Sequence, residues 1–230
     1  MVAGLRRYPV KSLSGESLAV ATVERRGLVG DRAWAVRDLD GKLGSGKSTR
    51  RFRRMDGLLG LAAVYDGERP VVGLPDGRRL PAGDPALDQA LSGYVGRAVT
   101  LSREAEVSHF DEGPVHLVTT AALGAVARAH GRPVDWRHTR ANLLVDWPGE
   151  GLVEHAWSGR RVRVGAEVVL RVVDVMPRCV MVTSAQQDLP ADADLLKTVT
   201  DSAGGALGVF AVVEHPGRVS LGDEVTLLEP

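Results

Sequence analysis

A single cysteine, Cys179, is the residue of this chain best suited to chemistry. It follows Arg178, and a cation beside a thiol favours the thiolate form. A thiolate is also the soft ligand that high-valent transition metals prefer over carboxylates. Free cysteines are equally well known as inert residues of protein cores. Cys179 taken alone therefore predicts either a reactive thiolate or a buried packing residue.

Several further segments combine polar side chains with Gly or Pro at the predicted ends of strands or helices. They are Tyr8-Pro-Val-Lys-Ser12, Gly30-Asp-Arg-Ala-Trp34, Gly113-Pro-Val-His-Leu-Val-Thr-Thr120, Arg137-His-Thr-Arg-Ala-Asn142 and Arg178-Cys179. Each residue in them also has an ordinary structural interpretation as a surface residue, a helix cap or a turn former.

The segment Gly41–Ser48 fits the G-x-x-x-x-G-K-[ST] pattern of phosphate-binding loops. Such a loop needs a buried parallel strand before it and βαβ units after it. Here the preceding segment Ala33–Asp38 alternates, and Asp40-Gly41 is a hairpin signal. A nucleotide-hydrolysing function is therefore rejected, although the loop could still bind an anion.

Short alternating segments separated by turn residues dominate the chain and predict a mainly β fold, a β-barrel or sandwich with a few short helices. Predicted strands are Val2–Tyr8, Leu18–Val23, Ala33–Asp38, Leu61–Val64, Pro70–Leu74, Val99–Ser102, Val115–Val118, Asn142–Val145, Arg161–Val164, Val168–Val173, Cys179–Thr183, Phe210–Glu214, Arg218–Ser220 and Glu224–Leu228.

Three helices are predicted over Asp84–Gly93, Thr119–His130 and Asp192–Thr200, each beginning at a residue that caps helices well. We expect two β-rich domains, residues 1–104 and 105–230.

The composition excludes several classes of function. Lys plus Arg and Asp plus Glu both number 29, so nothing favours a nucleic-acid partner. One cysteine forms no intramolecular disulfide and no CxxC metal site, and it suits a reducing compartment. No leader-like apolar segment follows Met1, and no apolar run is long enough to span a membrane. We expect a soluble, cytoplasmic protein.

The polar segments above, taken in their order along the chain, resemble the MOSC family, the molybdenum-cofactor sulfurase C-terminal domain proteins. Glu154–Gly159 and Gly222–Val225 extend the resemblance, so that it covers nearly the whole chain. The most similar branch has an N-terminal β-barrel domain, as in the mitochondrial amidoxime-reducing component and the bacterial YcbX-type proteins. Ala141 replaces the proline of that family's Arg-Pro-Asn sequence.

This resemblance implies a molybdenum cofactor (Mo-molybdopterin) whose metal is ligated by Cys179, which would be the catalytic residue. The pterin carries a phosphate, and the resemblance implies that fixed donors around it bind the cofactor. These are Lys11, Ser12, Arg32, Thr119, Thr120, Arg140, Asn142 and Arg178. Arginine suits this role because its planar fork matches phosphate oxygens, and a helix N-terminus favours an anion.

The implied function is an oxidoreductase that reduces N-hydroxylated or related small compounds. Electrons would come from a separate donor protein, because the sequence has no ferredoxin-like cysteine cluster. Two alternatives stay open: a sulfur carrier that uses a Cys179 persulfide, and a non-catalytic cofactor-binding module. After the cysteine, Ser184–Pro190 departs from the Thr-x-Asp-Pro-x-Thr-Gly expected of the amidoxime-reducing branch. We expect this segment near the metal, where it would alter the substrate. The sequence leaves the oligomeric state open.

Overall fold

The computed structural model describes residues 1–229, and most of its regular structure is β-sheet. The strands, in chain order, are β1 (Val2–Arg7), β2 (Val10–Lys11), β3 (Glu16–Ser17), β4 (Val20–Glu24), β5 (Gly27–Leu28), β6 (Trp34–Asp38), β7 (Leu43–Ser45), β8 (Phe52–Arg54), β9 (Ala62–Asp66), β10 (Arg69–Gly73), β11 (Arg79–Pro81), β12 (Val99–Arg103), β13 (Val115–Thr119), β14 (Leu143–Val145), β15 (Arg161–Val164), β16 (Val168–Pro177), β17 (Ala206–His215), β18 (Gly217–Ser220) and β19 (Val225–Leu227).

Three α-helices and four short 3₁₀ helices complete the described part of the chain. The α-helices are α1 (Pro85–Val95), α2 (Thr120–His130) and α3 (Leu195–Ala203). The 3₁₀ helices are Leu58–Gly60, Trp136–Thr139, Val153–Trp157 and Val180–Thr183.

The largest sheet has eight strands in the order β19-β15-β16-β17-β13-β14-β1-β3. A second sheet has five strands: β12, β6, β7 and β8 in order, with β2 paired to β6. Sheets β11-β10-β9 and β18-β4-β5 are smaller. The predicted mainly β class is confirmed: two curled half-barrel sheets with three helices.

The N-terminal residues contribute to the sheet of the second half of the chain. Strand β1 pairs antiparallel with β14, and β4 pairs antiparallel with β18. The eight-stranded sheet and β4 share one apolar core, whereas α1 and the first-half sheets enclose another. The predicted division after residue 104 stays a prediction.

Local sequence signals place the first two helices. Asp84 accepts a hydrogen bond from the Ala86 amide (2.8 Å) at the start of α1, with Pro85 as the first helical residue. Thr119 caps α2 through the Ala122 amide (3.0 Å). Both are capping arrangements that satisfy otherwise free N–H groups.

The third helix and one strand differ from expectation. Helix α3 begins at Leu195, because the Asp192 side chain binds His130 and Arg132 instead of capping the helix. The strand predicted over Cys179–Thr183 is wrong: Val180–Thr183 is a 3₁₀ helix in which the Val182 amide donates to the Cys179 carbonyl (3.1 Å). Pro177 ends the preceding ladder because it has no N–H to donate.

The Gly41–Ser48 segment does not have phosphate-loop geometry. Its residues Leu43–Ser45 form strand β7, which is antiparallel to β6 and parallel to β8. No helix begins between this strand and β8. Across residues 1–229, no helix is both long and apolar enough to cross a membrane.

Candidate functional site

Cys179 opens into a cavity of about 350 Å³ that both halves of the chain line. The first half contributes Lys11 from the end of β2, Ser12 after it, and Arg32 just before β6. The second half contributes Arg140, Arg178 and Cys179. Six of the residues predicted from the sequence are thus brought together, although up to 168 positions separate them in the chain (179 minus 11).

Three of these six residues have left-handed backbone. Ser12, Arg32 and Arg140 have φ values of 64°, 51° and 55°. The only other non-glycine residue with positive φ in the described chain is Gln187. Left-handed backbone is uncommon for residues with a Cβ and persists where surrounding contacts enforce it. Its concentration at this cavity indicates a functional site whose side chains are held in place.

Asp31 fixes Arg32. The buried Asp31 carboxylate accepts the Tyr8 amide (2.7 Å) and pairs with Arg32 Nη1. Arg32 Nη2 donates to the Arg140 carbonyl (3.0 Å). Burial disfavours the charged guanidinium, but Asp31 outweighs it and raises the pKa of Arg32. Arg32 is therefore a fixed cation in the cavity wall.

Arg140 is held more loosely and keeps one donor free. Its Nη1 donates to the Leu13 carbonyl (2.9 Å), and its guanidinium lies 4.4 Å from the centre of the Tyr8 ring. Its Nη2 is buried with no partner among the described residues. Burial, followed by repulsion from Arg32, lowers the pKa of Arg140 to about 10. A buried donor without a partner is costly, so this atom is available to a ligand.

Arg178, the residue before Cys179, forms hydrogen bonds with two other residues that line the cavity. Its Nη1 donates to the Thr139 carbonyl (2.7 Å) and its Nη2 to His116 Nε2 (2.9 Å). Burial first, and then Arg178, hold the pKa of His116 well below its usual range, so its ring is neutral. Because an arginine can only donate, His116 Nε2 accepts and the proton sits on Nδ1. Burial also lowers the pKa of Arg178 to about 9, while Cys179 acts in the opposite direction.

Lys11 is another buried cation of the cavity lining. Its Nζ donates to Asp111 Oδ2 (2.9 Å), and burial lowers the pKa of Lys11 to about 8 despite that carboxylate. Ser12 Oγ donates to the Gly44 carbonyl (2.9 Å) and so joins the lysine segment to β7.

Three predicted cofactor-binding residues lie outside the cavity. Thr119 Oγ1 donates to buried Glu154 (2.7 Å), and Thr120 Oγ1 donates to Asp146 (3.1 Å). Asn142 bridges two strands: its Oδ1 accepts the His116 amide (3.1 Å) and its Nδ2 donates to the Arg6 carbonyl (3.2 Å). Their side chains are satisfied by the protein itself, which explains why these polar residues occur there.

Other residues of the cavity were not predicted as site residues. His116 and His138 line it, although neither is among the site residues expected from the sequence. His138 is 6% exposed, and its Nδ1 has no partner among residues 1–229. Only its position inside Arg137–Asn142 could have drawn attention to it. Lys47 of the rejected phosphate-loop motif also lines the cavity.

The charge and donor set of the cavity suit an anionic ligand. Five cationic side chains line it against the two carboxylates of Asp111 and Glu112, an excess of three (5 − 2). Within the described chain, no group of three or more His, Cys, Asp or Glu could hold a metal ion. A metal at Cys179 would therefore have to bring most of its ligands on an organic cofactor.

Comparisons with known proteins agree with this mainly β class of fold. Residues 104–226 match the family model described as MOSC domain, and residues 1–56 match the model described as MOSC N-terminal beta barrel domain. The first match alone spans more than half of the chain. The chain therefore belongs to the MOSC domain family, which includes reductases that bind the molybdenum cofactor.

The fold is similar to that of one solved structure at a TM-score of 0.53, and a second match is too weak to support the fold. The YuaD protein from Bacillus subtilis is 17% identical, with a TM-score of 0.53 over 97% of this chain and 92% of its own. YiiM from Geobacillus stearothermophilus is also 17% identical, with a TM-score of 0.40 over 50% of this chain and 54% of its own. A search of curated proteins found no similar sequence.

Proposed function

We propose that this protein binds a molybdenum cofactor, with Cys179 Sγ as the protein ligand of the metal, and reduces N-hydroxylated or related small compounds. The observation that carries the proposal is that the thiol of Cys179 lines one cavity with several buried cations, of which Arg140 has a donor, Nη2, without a partner among the described residues. In this proposal a separate donor protein supplies the electrons.

The residues present fit such a cofactor. Lys11, Arg32 and Arg140 would hold its phosphate, because all three are cationic side chains that line the cavity. Arg140 Nη2 and His138 Nδ1, which have no partner among the described residues, would be available to the polar groups of the pterin. When bound, the molybdenum supplies two-electron oxygen-atom transfer.

The chain itself orients the ligand and keeps the charges in place. Arg178 precedes Cys179 in the chain, and its hydrogen bonds to the Thr139 carbonyl and to His116 fix its guanidinium in the cavity wall. Lys11 is mostly protonated at neutral pH because its pKa is about 8, so it keeps its charge for the phosphate.

Elemental analysis of protein purified from a host that makes the cofactor tests the proposal. We expect about one molybdenum per chain, a stoichiometry set by the single thiolate ligand, and its loss in Cys179→Ser. Thr200→Ala is the control, since Thr200 is exposed on α3 and does not line the cavity, and it should keep the metal. Reduction of an amidoxime with an artificial electron donor is the second measurement.

Other outcomes distinguish the alternatives. Protein without molybdenum but with cyanide-releasable sulfur on Cys179 would identify a sulfur carrier. Bound molybdenum without reduction would identify a binding module. If Cys179→Ser retains the metal, the assigned ligand is wrong.

A further inference from the structure

A second cavity, of about 290 Å³, adjoins the cysteine cavity. Met55, Leu58, Leu59 and Met181 form its apolar lining, and Asp56, Ser184 and Ala185 also border it. Met55, Leu58 and Leu59 are almost fully buried. Apolar cavities of about 150 Å³ bind benzene, so this space is large enough for a ring or a short alkyl chain.

Met181 separates the two cavities, and it lines both of them together with Ser12. The Met181 Sδ accepts the Gly46 amide (3.1 Å), and a Cβ on residue 46 would lie 2.4 Å from that sulfur. The Met181 side chain therefore packs directly against the backbone of Gly46, where no side chain intervenes. A methionine side chain changes rotamer easily, so this partition can open. It also lies only two residues after Cys179, in the 3₁₀ helix Val180–Thr183 that directly follows the cysteine.

The segment that departs from the amidoxime-reducing branch borders this second cavity. Ser184 and Ala185 are its first two residues. The segment is anchored from outside the cavity: Gln186 Nε2 donates to the Arg137 carbonyl (3.2 Å), and Asp188 pairs with the Arg137 guanidinium (2.9 Å).

We infer that the second cavity binds the apolar substituent of the substrate, with Met181 as the residue that admits it. This inference rests on the proposed function and narrows its substrate class. The substrates are N-hydroxylated compounds that carry an alkyl or aryl group, the polar end facing Cys179 and the apolar end beyond Met181.

A homologous series of straight-chain alkyl amidoximes tests this inference. Binding to the cofactor-loaded protein is measured by calorimetry without an electron donor, and kcat and KM are measured with one. Affinity should rise about fourfold per added methylene, the ratio that corresponds to about 0.8 kcal/mol per buried CH₂. It should reach a plateau when the cavity is full.

Variants of two exposed alanines on one loop provide the matched comparison. Ala185→Trp fills the second cavity and should abolish the chain-length dependence. Ala191→Trp, which borders neither cavity, should keep it. Met181→Ala should move the plateau to longer chains.

The two proposals fail in different ways. If amidoximes are not reduced but affinity still rises with chain length, the proposed reaction is wrong and the apolar subsite stands. If amidoximes are reduced with no dependence on chain length, or if Ala185→Trp leaves that dependence intact, the subsite is overturned.

Discussion

Lys11 offers the sharpest test of the idea that the cavity is built for an anion. Its side chain is almost completely buried, and burial lowers the pKa of Lys11 from 10.5 to about 8. A base with a lowered folded-state pKa binds fewer protons in the folded than in the unfolded state. The stability of the folded protein therefore rises with pH between about 8 and 10.5. Below about pH 8, the buried charge of Lys11 destabilises the folded protein by its full amount.

The penalty can be worked out from that pKa change. At about 1.36 kcal/mol per pH unit, the fall from 10.5 to about 8 destabilises the folded protein by about 3 kcal/mol at pH 7. The attraction of Asp111 is already included in this figure. Replacing Lys11 by methionine keeps an apolar stem and removes the charge. Without cofactor, Lys11→Met should therefore be more stable than the unmodified protein by up to about 3 kcal/mol.

Urea denaturation of cofactor-free protein at pH 7 and pH 9 is the assay. Between these values the lysine's contribution to stability should rise by about 1.3 kcal/mol, and this rise should be missing in Lys11→Met. Lys197→Met, at an exposed ion pair, should change stability by less than about 1 kcal/mol at either pH. Equal or lower stability of Lys11→Met at pH 7 would refute the electrostatic reasoning, as would an unchanged pH response.

Two further predictions concern buried groups near the cavity. Burial raises the pKa of Glu154, so the stability that its protonated form contributes is present in acid and is lost as pH rises. Glu154→Gln should therefore raise the unfolding temperature at pH 8 relative to the unmodified protein, with no such gain in acid. Arg178→Lys should keep the fold but lose the contacts to Thr139 and His116, so we expect about tenfold weaker retention of molybdenum on dialysis. Retention equal to that of Arg171→Lys, an exposed control, would contradict this role.

The elements that the sequence predicted well are those with local physical causes. The Asp84-Pro85 pair specifies the start of α1 without any distant contact. The strand predicted over Cys179–Thr183 failed for the opposite reason. Its β-branched residues favour a strand, but Pro177 ends the ladder and the chain turns into a 3₁₀ helix. Tertiary context overrides so weak a preference.

The site was only partly predictable, because its decisive contacts are distant in sequence. The resemblance to the MOSC family supplied Lys11, Arg32 and Cys179, whereas residue chemistry alone left each with an ordinary structural interpretation. The bond from Arg178 to His116 joins residues 62 positions apart, and no local pattern encodes it. Thr119 differs in this respect: its N-cap position follows from local sequence, whereas the hydrogen bond from its hydroxyl to Glu154 spans 35 positions.

The left-handed residues and the buried cations have one physical explanation. Ser12, Arg32 and Arg140 hold backbone conformations that cost free energy, and Lys11 and Arg178 are charged where burial disfavours charge. A fold selected only for stability would replace them. Under the proposed function, an anionic ligand would recover this energy by pairing with the cations, and by mass action it would stabilise the folded state that binds it. The free energy stored in the cavity would then contribute to affinity, since little would remain to be ordered on binding.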